Sequence, residues 1–228
     1  MLRDRERQKL WGKFVDAKIN APEVLSKELL RRKKGVVGLS TITDPYQPLE
    51  REYELTRKCL ENLVEHDFSI SIQTKSSLVL RDIDLIRKFP RSEVGFTIIT
   101  LKEDLRKKVE PYSSPIEERF AALRELADEG VSTWVFIGPI LPLITDKEEL
   151  NQLVKEVANM RVEHIFLDRL NLRVGVWPAV SDFLKANYPE LLPKYKKIFW
   201  LNNNYFELMK AETLELCRKV GIRCTFCY

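Results

Sequence analysis

Glycine is scarce in this chain, eight residues in 228, and histidine scarcer still, with only two. The glycines never gather into a Gly-x-Gly-x-x-Gly fingerprint or a P-loop, so no backbone cradle for nucleotide phosphates is expected. His66 and His164 stand far apart, and neither an HExxH nor a Gly-x-Ser-x-Gly pattern occurs, which leaves a metalloprotease or a hydrolase triad without a basis. Long apolar runs are missing as well. The best candidate, Trp134 to Ile144, is short and is broken by Pro139 and Pro142, well under the roughly 20 residues of a membrane span. The first residues, Met-Leu-Arg-Asp-Arg-Glu-Arg, are charged and carry no apolar signal region. A soluble cytoplasmic protein is expected. Four cysteines, Cys59, Cys217, Cys224 and Cys227, are too few for a disulfide framework in a chain this long.

What is present is charge and an ordinary apolar fraction. Charged residues make up 32% and apolar ones 44%, with a net charge of only +4. That content supports one domain with a sizeable core. The mild basic excess permits nucleic-acid binding without arguing for it. The high charge also fits the ion-pair-rich surface of a thermophile's protein.

From about residue 36, short β-type runs alternate with helical patterns. Strands are expected at Val36–Ser40, Ser69–Thr74, Val94–Ile99, Val131–Ile137, His164–Leu167 and Ile222–Phe226. The intervening stretches carry helix signals. Ser114-Pro115-Ile116-Glu117 reads as a capping box, with Gly130 as the stop. Asp146 and Glu149 repeat the cap pattern. Further helices are expected over 21–32 and 50–65. Repeated βα units imply a parallel sheet, either a barrel or a doubly wound sheet, and periodicity alone does not separate the two. In both, ligands bind beyond the carboxyl ends of the strands.

Those ends are dense in polar groups. Ser40-Thr41-Ile42-Thr43-Asp44-Pro45 follows the first strand, Thr74-Lys75-Ser76-Ser77 the second, and Asp168-Arg169 the fifth. Each has an ordinary structural reading: Asp-Pro opens turns, and Ser77 or Asp82 can cap a helix. Gathered on one rim, they favour a polar ligand.

Several of these stretches resemble one family. Phe14-Val-Asp-Ala-Lys-Ile-Asn-Ala-Pro-Glu-Val-Leu25, Thr43-Asp-Pro-Tyr-Gln-Pro-Leu-Glu50, Gln73-Thr-Lys-Ser76 with Arg81-Asp-Ile-Asp84, and Glu110-Pro111 are similar to the spore photoproduct lyase-like (DNA repair photolyase-like) branch of the radical S-adenosylmethionine enzymes. The likeness covers roughly residues 11 to 175. It implies an α/β fold, a parallel (β/α)6 TIM-like barrel of the radical S-adenosylmethionine type. It further implies S-adenosylmethionine and a 4Fe–4S cluster, a 5′-deoxyadenosyl radical as the reactive species, an external electron donor, and a nucleic-acid substrate. By the same resemblance, Thr41, Thr43 and Asp44 line the S-adenosylmethionine pocket and Lys75 pairs with its carboxylate, with Arg169 as a further candidate for that site or for a substrate phosphate.

The sequence departs from the family at the cluster. The Cys-x-x-x-Cys-x-x-Cys loop that thiolate ligation of iron needs is not found, since no cysteine precedes Cys59. The chain begins at what resembles the stretch just after that loop. The expected barrel is therefore incomplete and catalytically silent as given, with residues 1–20 as a lead-in and 176–228 as C-terminal helices and a last strand. Either Met1 is an internal methionine taken as a start, or the chain is a cluster-less paralogue that binds a ligand or a partner through the same rim. Cys217, Cys224 and Cys227 raise a third reading, a metal or redox module. In a strand, however, Cys224 and Cys227 point to opposite faces, and Cys217 reads as packing.

Overall fold

A computed structural model describes residues 14–39, 42–173, 175–201 and 204–228. Among them, helix α1 (Ala21–Leu29) leads into strand β1 (Val36–Leu39). Then come α2 (Glu50–Tyr53), α3 (Leu55–Glu65), β2 (Ser69–Thr74), a 3-10 turn (Ser77–Asp82), α4 (Ile83–Ile86) and β3 (Ser92–Thr97). After them run α5 (Glu103–Val109), α6 (Ile116–Asp128), β4 (Ser132–Ile140), α7 (Lys147–Ala158) and β5 (His164–Arg169). The chain closes with α8 (Val176–Asn187), α9 (Leu192–Trp200), α10 (Tyr205–Val220) and β6 (Arg223–Phe226).

The strands pair in parallel, and their spatial order is their chain order, β1-β2-β3-β4-β5-β6. This order decides between barrel and doubly wound sheet. A doubly wound sheet reverses its order at a switch point, whereas right-handed crossovers that never reverse keep all helices on one side. The architecture is an open α/β sheet of six parallel strands, a partial TIM-like barrel.

Period-2 alternation sorts each strand between two environments. Ile70, Ile72, Val94, Phe96, Val135, Ile137, Ile165 and Leu167 point outward into one core with Leu60, Leu63, Leu123, Leu126, Leu153 and Val157 from the helices. Each fully buried side chain of this kind contributes about 1.5–3 kcal/mol. The concave face holds the alternate residues: Ser71 and Gln73, Gly95 and Thr97, Trp134 and Phe136, His164 and Phe166. There the Trp134 ring stands edge-on to Phe166, with centroids 5.2 Å apart. Phe166 in turn lies 4.4 Å from the His164 ring.

Several local expectations resolve differently. The helix foreseen over 50–65 breaks into two at Glu54, whose φ is +50°. Gly130 ends its helix as expected, at φ +79°. The capping box before α6 does not form: Ser114 Oγ accepts from Ser77 N instead, and Glu103 from α5 receives the Ile116 N–H at 3.3 Å. At α7, Asp146 does cap, accepting from Glu149 N at 2.8 Å. The Glu149 carboxylate turns inward to Lys102 Nζ at 2.6 Å and to the Thr100 hydroxyl. A buried carboxylate needs such partners more than a cap needs reciprocity. Ser40 and Thr41 lie outside the described residues. No helix among the described residues is long and apolar enough to cross a membrane.

Gly95 is required by close approach. A Cβ there would sit 2.2 Å from the Trp134 ring, which itself stands against Phe166. Gly95→Ala is expected to cost about 1–3 kcal/mol as overpacking, read from the urea midpoint. An unchanged midpoint would show that the ring has room to move.

Candidate functional site

The carboxyl ends of the strands form a rim, and the first cluster on it joins β1, β2 and β3. Asp44 follows β1 in an Asx turn, one carboxylate oxygen accepting from Tyr46 N at 2.9 Å. The same oxygen accepts from Thr74 Oγ1 at 2.7 Å, and the other accepts from Lys75 N at 2.7 Å. Asp44 thus clamps the β1 loop to the end of β2. Lys75 is fixed on its other side too, since its carbonyl accepts from Ser114 N at 3.0 Å.

Beneath this cluster lies Arg119, 1% exposed despite its charge. Its guanidinium donates to Thr97 O at 2.7 Å, Ser114 O at 2.8 Å and Glu110 Oε2 at 2.9 Å, and also to the Ser113 hydroxyl. Desolvation lowers its pKa, opposed mainly by Glu110. Arg106, also buried, donates to Glu110 O and Ser113 O, both at 2.9 Å. The loop 110–114 is therefore held from within by two guanidinium groups.

Lys75 differs from both. Its Nζ lies 3.9 Å from Glu110 Oε1, beyond hydrogen-bond range, and its side chain is 39% exposed. The backbone is pinned while the ammonium remains at the rim, able to take an anionic group.

The structure brings Thr43, Asp44 and Lys75 to one part of the rim. Thr43 is exposed there, and Thr41 falls outside the described residues. Arg169 stands apart, at the end of β5. Three strand spacings from β2 amount to roughly 14 Å. Its guanidinium lies 4.9 Å from the Tyr228 ring centroid and 5.6 Å from that of Phe206.

Near Arg169 the concave face presents Asp168, Gly138 and Cys227. A Cβ on Gly138 would meet the Phe136 ring at 2.5 Å and Asp168 Cβ at 3.2 Å. Burial raises the Asp168 carboxyl above its usual range, against the opposing pull of Arg169 and Arg173. Burial, then the neighbouring Asp168, raises the Cys227 thiol.

The cysteines do not converge. Cys217 is buried in α10 and Cys224 packs against the same core, both on the helix side of β6, while Cys227 is exposed. Burial pushes the Cys217 thiol up, as does the adjacent Cys224. Among the described residues no three His, Cys, Asp or Glu side chains lie close enough to hold a metal ion. These thiols therefore do not fit an iron–sulfur cluster, whereas the Lys75 ammonium fits the carboxylate end of an amino-acid-like ligand.

A family model described as the Radical SAM superfamily matches residues 7–157. The chain belongs to the radical SAM superfamily. Its relatives include an uncharacterized protein of Methanocaldococcus jannaschii, 36% identical over 180 residues that make up 79% of this chain and 66% of that protein. The chain thus spans about two thirds of that relative. Among solved structures, a spore photoproduct lyase complexed with a dinucleoside spore photoproduct superposes with a TM-score of 0.66 at 17% identity, over 98% of this chain and 72% of that one. Streptococcus suis SuiB bound to S-adenosylmethionine superposes at 0.55 and 11% identity, over 77% of this chain and 36% of SuiB. At such identities the two structures share the fold.

Sequence patterns flagged Lys75 and Asp44 but missed Arg119, which reads as one charge on an amphipathic helix, and the ring pad of Trp134, Phe136 and Phe166. The pad left a trace, aromatic residues two apart in β4, but β4 is apolar on both faces and the alternation is masked.

Asp168 generates a pH prediction. In the unfolded chain its carboxyl ionises at the ordinary pKa, and in the folded protein only at a higher pH. Burying the ion therefore costs stability at pH above both values, and the cost vanishes below the unfolded value. Asp168→Asn is expected to raise the melting temperature at about pH 7 and leave it unchanged near pH 3. A lower melting temperature at the higher pH would mean that Arg169 and Arg173 outweigh desolvation.

Proposed function

We propose that this chain is the S-adenosylmethionine-binding barrel of a spore photoproduct lyase-like radical enzyme, with a nucleic-acid substrate, and that its 228 residues alone are catalytically silent. The observation that carries this reading is Lys75, backbone-fixed by Asp44 and Ser114 yet with its ammonium at the rim. Lys75 pairs with the carboxylate of S-adenosylmethionine as a point charge. Thr43, exposed on the same part of the rim, lines the pocket beside it. Asp44 shapes that pocket through the backbone of Lys75, because its own oxygens are already occupied.

When bound next to a 4Fe–4S cluster, S-adenosylmethionine supplies a 5′-deoxyadenosyl radical. No cysteine precedes Cys59, so this chain offers no thiolates for that cluster at the β1 end of the rim. The other residues bind and orient. Arg169, remote from Lys75 on the sheet, meets a phosphate of the substrate rather than the cofactor. The dinucleoside spore photoproduct bound in the spore photoproduct lyase structure supports a nucleic-acid substrate. The SuiB complex supports the cofactor.

A second reading, a cluster-less domain that binds a ligand or partner through this rim, is favoured by the cysteines, of which Cys217 and Cys224 are neighbours but Cys59 and Cys227 lie apart, so that no three converge. In-frame coding sequence upstream of Met1 separates the two: a Cys-x-x-x-Cys-x-x-Cys there supports the enzyme, and an immediate stop codon the paralogue.

Lys75→Ala is expected to weaken S-adenosylmethionine binding about tenfold or more, the loss of one charge-assisted contact. The measurement is isothermal titration with the cluster-containing, full-length form. Unchanged affinity would remove Lys75 from the site, and Lys75→Arg recovering part of the loss would support a role for its charge.

A further inference from the structure

From the barrel rim outward runs an unbroken series of rings. Phe226 contacts Tyr228 at 5.4 Å, Tyr228 contacts Phe206 at 6.0 Å, and Phe206 contacts Phe199 at 5.8 Å. Phe199 then meets Trp200 at 6.3 Å, and Trp200 meets Trp177 at 4.7 Å. Cations accompany the inner end: Arg169 lies over Phe206 and Tyr228, and Lys210 over Phe226 and Tyr228.

Two hollows follow the same path and share α9. The inner one, about 230 Å³, lies beside Arg169, Asn171, Phe199 and Phe206, with Glu207 also on its wall. The outer one, about 600 Å³, is a groove between α8 and α9 lined by Trp177, Pro193, Lys196, Lys197, Trp200 and Leu201. Trp200 is 55% and Leu201 63% exposed, a large open apolar area on a charged surface. The groove lining holds no acid, and between residues 189 and 201 Lys194, Lys196 and Lys197 stand against Glu190 alone.

We infer that this groove is a track for a single-stranded nucleic acid, Trp200 and Trp177 stacking on bases while Lys196 and Arg169 follow the phosphates; the rings behind it, with Phe206 buried, are its frame. The inference rests on the nucleic-acid reading above and assigns it a surface. Flat aromatic faces accept any base, and interleaved cations neutralise the backbone, which is how sequence-tolerant single-strand sites work. The charge complements a polyanion. Lysines and aromatic rings line the same groove, which suits a strand better than a lipid surface. Its continuity with Arg169 leads a bound strand toward the rim. A base unstacked from its neighbours and received there would reach the concave face beside Asp168.

The test is fluorescence anisotropy of a labelled oligothymidylate of about 12 nucleotides, within the length one such platform covers, titrated with the 228-residue chain at stated salt. Trp200→Ala is expected to weaken binding about tenfold, with Trp200→Phe largely retaining it. Lys196→Ala is expected to make the slope of log affinity against log salt shallower by about 0.7. Lys33→Ala, at an exposed position between α1 and β1, is expected to change neither. Because Trp200 is exposed, the variants should keep the wild-type circular dichroism. Equal affinity of wild type and Trp200→Ala would overturn the track while leaving the nucleic-acid reading in place. Failure of the wild type to bind the oligonucleotide would overturn both. Binding to anionic vesicles but not to the oligonucleotide would reassign the groove to a membrane surface.

Discussion

A guanidinium sealed from water governs the working end of this barrel. Parallel strands end in carbonyls and N–H groups that the sheet no longer pairs, and these need partners wherever they are buried. Arg119 supplies donors to Thr97 at the end of β3 and to Ser113 and Ser114 in the loop beyond α5, while Glu110 balances its charge. Ser114 passes the constraint to β2 by donating its N–H to Lys75 O and accepting from Ser77 N. Removing one member of such a buried pair costs about 3–5 kcal/mol, because the other charge is stranded. The position of Lys75 thus depends on an arginine that never reaches the rim.

That arrangement reconciles rigidity with availability. The Lys75 backbone is fixed from both sides, yet among the described residues its ammonium makes only a long contact, with Glu110, whose carboxylate already serves Arg119. Behind the Asp44 loop, Glu50, Arg57, Arg81, Asp82 and Asp84 form a second ionic lattice joining α2 and α3 to the turn after β2. Asp82 is fully buried at its centre. Networks of this kind contribute more than isolated surface pairs, which are worth about 0–1 kcal/mol. One half of the rim is thus built on charge. The other half, at β5 and β6, is built on rings, with Arg169 and Lys210 laid against them.

Much of the fold was legible in the residues. Ser69–Thr74 reads as a strand because its polar and apolar residues alternate, and β2 has those bounds. His164–Leu167 extends to Arg169, and Val131–Ile137 becomes Ser132–Ile140, since pairing continues past the point where the apolar pattern stops. Less legible was anything that depends on a distant partner. Ser114 looks like a helix cap and bonds to Ser77 instead. Glu149 looks like half of a capping box and is the buried partner of Lys102. Asp44 looks like a ligand contact, and its oxygens hold backbone and a neighbouring threonine.

The sequence by itself determined the class of fold, the number and approximate span of the strands, and the family, because these rest on local periodicity and on motifs with fixed spacing. It also determined that thiolates are missing ahead of Cys59. Periodicity left barrel and doubly wound sheet open and the family resemblance implied the barrel; the tertiary structure decides it, since strand order is a property of crossovers and not of any strand. It alone separated Arg169 from Lys75 and aligned rings from β6, α8, α9 and α10 into one series. Residues far apart in the chain become neighbours only when the strands between them fix the distance, and no local pattern records that.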